Sequence, residues 1–202
     1  ADHGAPEVPG YLESIGIKAS YFNFDDVDKK PAIEALKSEF GLAEDLIANF
    51  SQPYLYLNDA VLAQNSLDKA TVARAVASEL QKMPGVAYAI SSEDLRSGQV
   101  AKTSVSEAVL ANFHLERSGD IYVVFEPHWF VGEFDGLHVA SAHGSPWSYD
   151  THVPIVLTGP GIEPARISRR VETVDLAPTI AAYLRIKAPS GYRGQVLVEA
   201  LP

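Results

Sequence analysis

Asp2-His3-Gly4 and, far downstream, His143-Gly144-Ser145 set a carboxylate beside one imidazole and a glycine after each of two imidazoles. These are the parts from which a hydrolytic metal site is assembled, because zinc accepts imidazole nitrogen and carboxylate oxygen together. A glycine after the ligand lets the backbone turn sharply and lets an ion approach closely. Such ligands belong where strands end, since catalytic residues on α/β sheets collect at the carboxyl ends of strands. Alone, the tripeptide is a weak signal. Its position is unusual, because a chain end normally frays, and the reading therefore expects more of the same protein ahead of Ala1.

The other histidines carry less. His114 sits at an expected helix end, and His128 and His138 lie in a loop-like stretch among Trp129, Phe130 and Phe134. All three read as structural or surface residues. His152 is an alternative ligand to His143, or shapes the loop ahead of the next apolar run. A serine-hydrolase triad of Ser145, Asp150 and His152 lacks the G-x-S-x-G elbow. Gly159-Pro160-Gly161 lacks the third glycine of a dinucleotide loop. Asn49-Phe50-Ser51 is a formal glycosylation sequon, meaningful only in a pathway that uses it.

The elements that must position these residues alternate in type. Pro31–Phe40 reads as a helix stopped by Gly41, and Tyr54–Leu57 as a strand between Pro53 and Asn58. Val72, Val76, Leu80 and Met83 recur at helical spacing, with Ser66 as the expected N-cap. Pro84-Gly85 ends that helix and Val86–Ile90 follows as a buried strand. Ser104 and Glu107 predict a capping box opening a helix to about Phe113. Ile121–Phe125 and Val153–Thr158 are continuous apolar runs, expected as strands covered on both faces. A last helix spans about Asp175–Leu184, and a short strand falls within Ala19–Phe24. The fold class is α/β.

Composition bounds the chemistry. The 202 residues are 47% hydrophobic and 21% charged, as in ordinary globular domains. A net charge of −10 argues against binding a nucleic acid polymer, whose phosphates need basic partners. It leaves small phosphate esters open, because bound metal ions can dominate the local field. With no cysteine there is no disulfide framework, thiol nucleophile or cysteine zinc site. No stretch approaches the roughly 20 apolar residues of a membrane span.

Longer stretches now carry a resemblance. "HGSPWSYDTHVP" at His143–Pro154, "IVLTGPGI" directly after it, "TVDLAPTIAAYLRI" and "GYRGQVLVEAL" resemble the C-terminal part of the alkaline phosphatase superfamily. Within it the similarity is greatest to the bacterial alkaline phosphatases that use a threonine nucleophile and are related to nucleotide pyrophosphatase/phosphodiesterases. "ADHG" resembles that family's second metal-binding motif, and "GDIYVVFEPHWF" the strand before its last metal histidine.

The resemblance implies an alkaline phosphatase-like three-layer sandwich. Residues 1–4 would be a metal-ligand turn, 5–118 a crown-like insertion and 119–202 the C-terminal part of the core. It implies two zinc ions, one held by Asp2 and His3 and the other by His143; Asp150 and Thr151 are near enough in sequence to be candidates for holding the other ring nitrogen. The reaction would be phosphate monoester hydrolysis through a phospho-enzyme on a small substrate, in a periplasmic or secreted protein. Phosphodiester or nucleotide pyrophosphate hydrolysis is the alternative within the superfamily. A non-catalytic metal-binding domain is the alternative outside it. The family's nucleophile, its phosphate-contacting residues and half of its metal ligands lie upstream of "DHG". No catalytic residue can therefore be placed on this chain, and the 202 residues alone are expected to be inactive.

Overall fold

The computed structural model describes residues 1–134 and 137–202, which divide into two compact units, residues 3–152 and residues 1–2 with 153–202.

The first unit is organised by a four-stranded antiparallel sheet in the order β2 (Ile47–Ser51), β3 (Tyr54–Leu57), β5 (Ile121–Phe125) and β4 (Val86–Ser91). All five residues of β5 are buried. Side chains alternate across a strand, so β5 feeds two clusters. Ile121, Val123 and Phe125 pack with Leu55 and Leu57 of β3 and with two helices, α2 (Pro31–Glu39) and α4 (Lys69–Leu80). Tyr122 and Val124 pack with Leu95 of α5 (Ser92–Ser97) and with Val105 and Val109 of α6 (Ser104–Asn112). Each fully buried Val, Leu or Ile is worth about 1.5–3 kcal/mol. A strand with no polar position is thus the economical centre of a two-sided unit.

The remaining elements of this unit are small. α1 (Pro9–Ser14) and α3 (Asp59–Gln64) are short helices, and β1 (Ser20–Phe22) pairs in parallel with β6 (Trp129–Val131). β7 (Glu133–Phe134) and β8 (Leu137–His138) form a two-residue antiparallel ladder. α7 (Ser148–Thr151) is a single turn.

Two helix starts differ from the sequence expectation. Asp68, not Ser66, caps α4 by accepting from Thr71 N–H, and Ser66 stands at φ +53° in the turn before it. The box at α6 is Thr103 with Ser106, one residue ahead of the expected Ser104 with Glu107. In both places several capping residues crowd the start, and the backbone selects the one in the extended region.

A buried polar hub fastens α2 to β2. Lys37 is about 7% exposed and its Nζ donates to Asp28 Oδ2 at 2.8 Å and to Glu34 Oε1 at 2.9 Å. Asp28 Oδ1 accepts the backbone N–H groups of Leu46 and Ile47 at 2.9 and 2.7 Å. The hydrogen bond it donates to Asp28, then that to Glu34, holds the Lys37 ammonium pKa above the usual lysine range.

The second unit contains α8 (Leu176–Tyr183), preceded by a 3₁₀ turn at Thr173–Asp175. Asp175 is buried: Oδ2 accepts Glu172 N–H at 2.9 Å and Oδ1 accepts Gln195 N–H at 2.7 Å. Thr179 Oγ1 donates to the Asp175 carbonyl and accepts Leu197 N–H, so α8 holds the 195–197 segment. Tyr183 Oη donates to the Pro160 carbonyl, which makes Gly159-Pro160-Gly161 a packing turn against α8. Val153–Thr158 is not a strand. Its burial alternates residue by residue, and Val156 is 83% exposed. An apolar run reports burial only where a ladder partner exists, and Pro154 withdraws one N–H from any ladder.

Replacing Asp28 with Ala should destabilise this protein by about 3–5 kcal/mol by leaving Lys37 buried against fewer partners, whereas Lys37→Met should cost clearly less. Urea midpoints of the two variants check the ranking. The Asp175 carboxyl is held below its usual range first by Glu172 N–H and then by Gln195 N–H. A depressed carboxyl contributes stability above the ordinary value of about 3.9 and loses it as pH falls through the folded value. Thermal unfolding between pH 6 and pH 3 should therefore fall less steeply in Asp175→Asn than in the parent.

Candidate functional site

The loop following the sheet is pinned to the carboxyl end of β5. Trp147 Nε1 donates to the carbonyl of Phe125, the last residue of that strand, at 2.9 Å. The pin fixes the run Ala142–Asp150, and with it His143. Gly144 has φ +98°, a conformation that a side chain makes costly.

The N-terminal turn is laced to this loop. Gly4 N–H donates to the Asp150 carbonyl at 2.8 Å, and Ser141 Oγ donates to the Pro6 carbonyl. A Cβ on Gly4 would run into the carbonyl oxygen of Tyr149, so the glycine is required for space. The two glycines after the two histidines thus serve different needs, close approach at Gly4 and a positive φ at Gly144.

The lacing brings His3 and His143 together. Their rings stack with centroids 3.7 Å apart and planes 14° from parallel. His3 Nδ1 lies 2.8 Å from the carbonyl oxygen of Gly4. A carbonyl can only accept, so this contact fixes the tautomer with the proton on Nδ1 and the lone pair on Nε2. That is the arrangement in which metal-bound histidine is usually found, with its other nitrogen donating to a backbone carbonyl.

The stacking also limits how ions could bind. Zinc sits about 2.1 Å from an imidazole nitrogen, in line with the in-plane lone pair. An ion shared by two parallel rings 3.7 Å apart would lie far out of both planes. Two parallel rings are thus poorly placed to share one ion. Among the described residues, no group of three or more His, Cys, Asp or Glu side chains converges to hold an ion.

Asp2 is exposed and precedes His3 directly. Asp150 is 4% exposed; Oδ2 accepts Ser145 N–H at 2.7 Å, and Oδ1 is buried with no hydrogen-bond partner. The carboxylate is turned to the Ser145 main chain, an arrangement unlike the triad order. Thr151 Oγ1 donates to the Trp147 carbonyl within α7. The backbone N–H of His152 donates to the Ser148 carbonyl, and its ring has no hydrogen bond among the described contacts. His114 Nδ1 accepts Glu116 N–H in a surface turn, as a structural residue would. The side chain of His138 lies outside the described structure.

His128 was set aside by sequence reasoning, yet it is packed against this loop. Its ring stacks on Tyr149 with centroids 4.8 Å apart, and its backbone N–H donates to Tyr149 Oη at 3.1 Å. Its Nδ1 is buried without a hydrogen-bond partner. The one sign of this role is its φ of +65°, which no sequence pattern announces.

No family model matches the chain. It is 33% identical over 201 residues to a protein of Myroides odoratus named calcium-transporting ATPase, covering all of this chain and 36% of that protein. It is 29% identical over 202 residues to alkaline phosphatase PafA of Elizabethkingia meningoseptica, again over all of this chain and 36% of the relative. The crystal structure of wild-type PafA superimposes with a TM-score of 0.83 at 28% identity, covering 100% of this chain and 37% of that one. The chain belongs to the alkaline phosphatase superfamily. Its mixed α/β fold matches the C-terminal part of PafA. The chain spans about a third of the length of the curated relatives it matches.

The Gly4 fit gives a test of the lacing. Gly4→Ala should destabilise the protein by about 1–3 kcal/mol through overpacking against backbone. Gly10→Ala, where a Cβ meets nothing within 4 Å, should be neutral or stabilising. Chemical denaturation of the pair checks the contrast.

Proposed function

We propose that this chain is the C-terminal, ligand-bearing part of a metal-dependent phosphate monoesterase. The observation that carries the reading is the meeting of His3 and His143 as parallel rings. Two histidines far apart in sequence meet here, and one of them has its lone pair left on Nε2. The likeness to alkaline phosphatases PafA and PhoV, each over 100% of the chain, supports the same reaction class.

In this reading Asp2 and His3 hold one zinc ion and His143 holds the other. The nucleophile, the phosphate-contacting groups and the remaining ligands lie on polypeptide beyond these 202 residues. Residues 5–118 supply the elements that back β5 and, as an insertion, screen substrates, while residues 119–202 complete the core. The resemblance to bacterial alkaline phosphatases supports a periplasmic or secreted location; no helix among the described residues is long and apolar enough to cross a membrane.

When bound, paired divalent ions supply charge stabilisation to the attacking and departing oxygens of an in-line displacement. The residues of this chain do the positioning. The Gly4 carbonyl keeps the His3 lone pair on Nε2, and Gly4 itself lets the His3 turn close on Tyr149. The Trp147 pin keeps His143 at the strand end, where a phosphate ester can reach it. Precise spacing matters because misplacement of about 1 Å can cost on the order of 100-fold in rate.

The test uses the full-length protein with p-nitrophenyl phosphate and bis-p-nitrophenyl phosphate, before and after chelation. Monoester hydrolysis should dominate, vanish on chelation and return with zinc, and His143→Ala should lower kcat/KM by at least about 100-fold. Dominant diester hydrolysis would favour the phosphodiesterase reading. Metal uptake without hydrolysis of either ester would favour a binding domain.

A further inference from the structure

Asp150 contributes three oxygens to the junction, and only two of them have work in the described structure. Its main-chain carbonyl takes Gly4 N–H, next to His3. Its Oδ2 takes Ser145 N–H, two residues from His143. Its Oδ1 is buried and has no hydrogen-bond partner. A loop-closing role explains the first two contacts and leaves the third unexplained. Closing the turn needs one acceptor, and a neutral Asn or Ser would avoid burying a carboxylate oxygen that nothing solvates.

Asp150 and His143 line the same small cavity, of about 20 Å³. Asp150 is the one carboxylate among the residues lining it. A single water needs about 10–15 Å³ by the same measure, so the space admits one and hardly more. His143 carries two ring nitrogens, and a ligating histidine needs an acceptor for the nitrogen that does not bind the ion. His3 meets this need through the Gly4 carbonyl.

We propose that Asp150 is the positioning residue of the site: Oδ1 accepts the non-ligating N–H of His143, directly or through one water, while its other two oxygens hold the His3 turn and the His143 loop at fixed spacing. This rests on the two-ion reading above. One buried residue then sets the orientation of one ring and the separation of both. An acceptor of this kind holds a ligating ring in orientation and strengthens its bond to the ion.

Asp150→Asn separates the roles. Its carbonyl can still accept Ser145 N–H and its main chain still holds Gly4, but its amide group cannot accept from His143. In full-length protein, zinc affinity is read by chelator competition and stoichiometry by elemental analysis, with melting of the metal-free protein as the control for folding. The expected result is two ions in wild type, with one of them bound 10–100-fold more weakly in Asp150→Asn, at a metal-free melting temperature close to wild type. Asp150→Ala should weaken both ions and lower the melting temperature. Equal affinity for both ions in wild type and Asp150→Asn would overturn the role of Asp150 alone. Wild-type protein that takes up no metal would overturn the two-ion reading and this one together.

A second readout does not depend on either variant folding. In zinc-loaded wild type with ¹⁵N-labelled histidine, the non-ligating N–H of His143 should be visible and slow to exchange. An N–H that exchanges freely with solvent overturns the proposal.

Discussion

The five residues of β5 have no polar position, and their side chains divide between two apolar clusters. That division obliges the chain to supply helices on both sides, which α2 and α4 do on one side and α5 and α6 on the other. Phe125, the last residue of β5, also offers its carbonyl to the loop beyond. Trp147 Nε1–H meets it. An apolar strand therefore fixes a loop through one hydrogen bond, and the loop carries His143.

From there the organisation is one of straps instead of regular elements. Hydrogen bonds between main-chain groups and short polar side chains tie residues 3–6 to residues 141–150. Such ties are directional and short, and they permit little relative sliding of the two histidines. Both rings are exposed while the groups that hold them are wholly or partly buried. This is the economy expected of a site built on loops over a rigid scaffold: reach belongs to the side chain and precision to what lies beneath it.

Much of this was legible in the residues. Tyr54–Leu57, Val86–Ile90 and Ile121–Phe125 stand out because strands in a two-sided unit are apolar runs with sharp boundaries, and the structure has strands there. The glycines after His3 and His143 pointed to close approach and sharp turning, which they provide separately. What was illegible is instructive. Val153–Thr158 is as apolar as β5, but strand formation needs a partner, and partners are not written into the run itself. Asp150 showed only nearness in sequence to His143, because the burial of one carboxylate oxygen is a property of packing. Ser66 and Asp68 are both good caps, and composition alone cannot choose between them. His128 looked ordinary because its contact with Tyr149 depends on a backbone conformation that no neighbouring residue requires.

The stacking of His3 on His143 joins nearly the two most distant parts of the first unit's sequence. Contacts that close long loops form late, since the entropy of closure must be met before the contact rewards it. The sheet around β5 has to be in place, and the Trp147 pin set on it, before the N-terminal turn has anything to lie against. A partly folded chain can thus hold a native sheet and still lack any site. The meeting of the two histidines would then be among the last events of folding, and until it forms the chain carries two separate imidazoles.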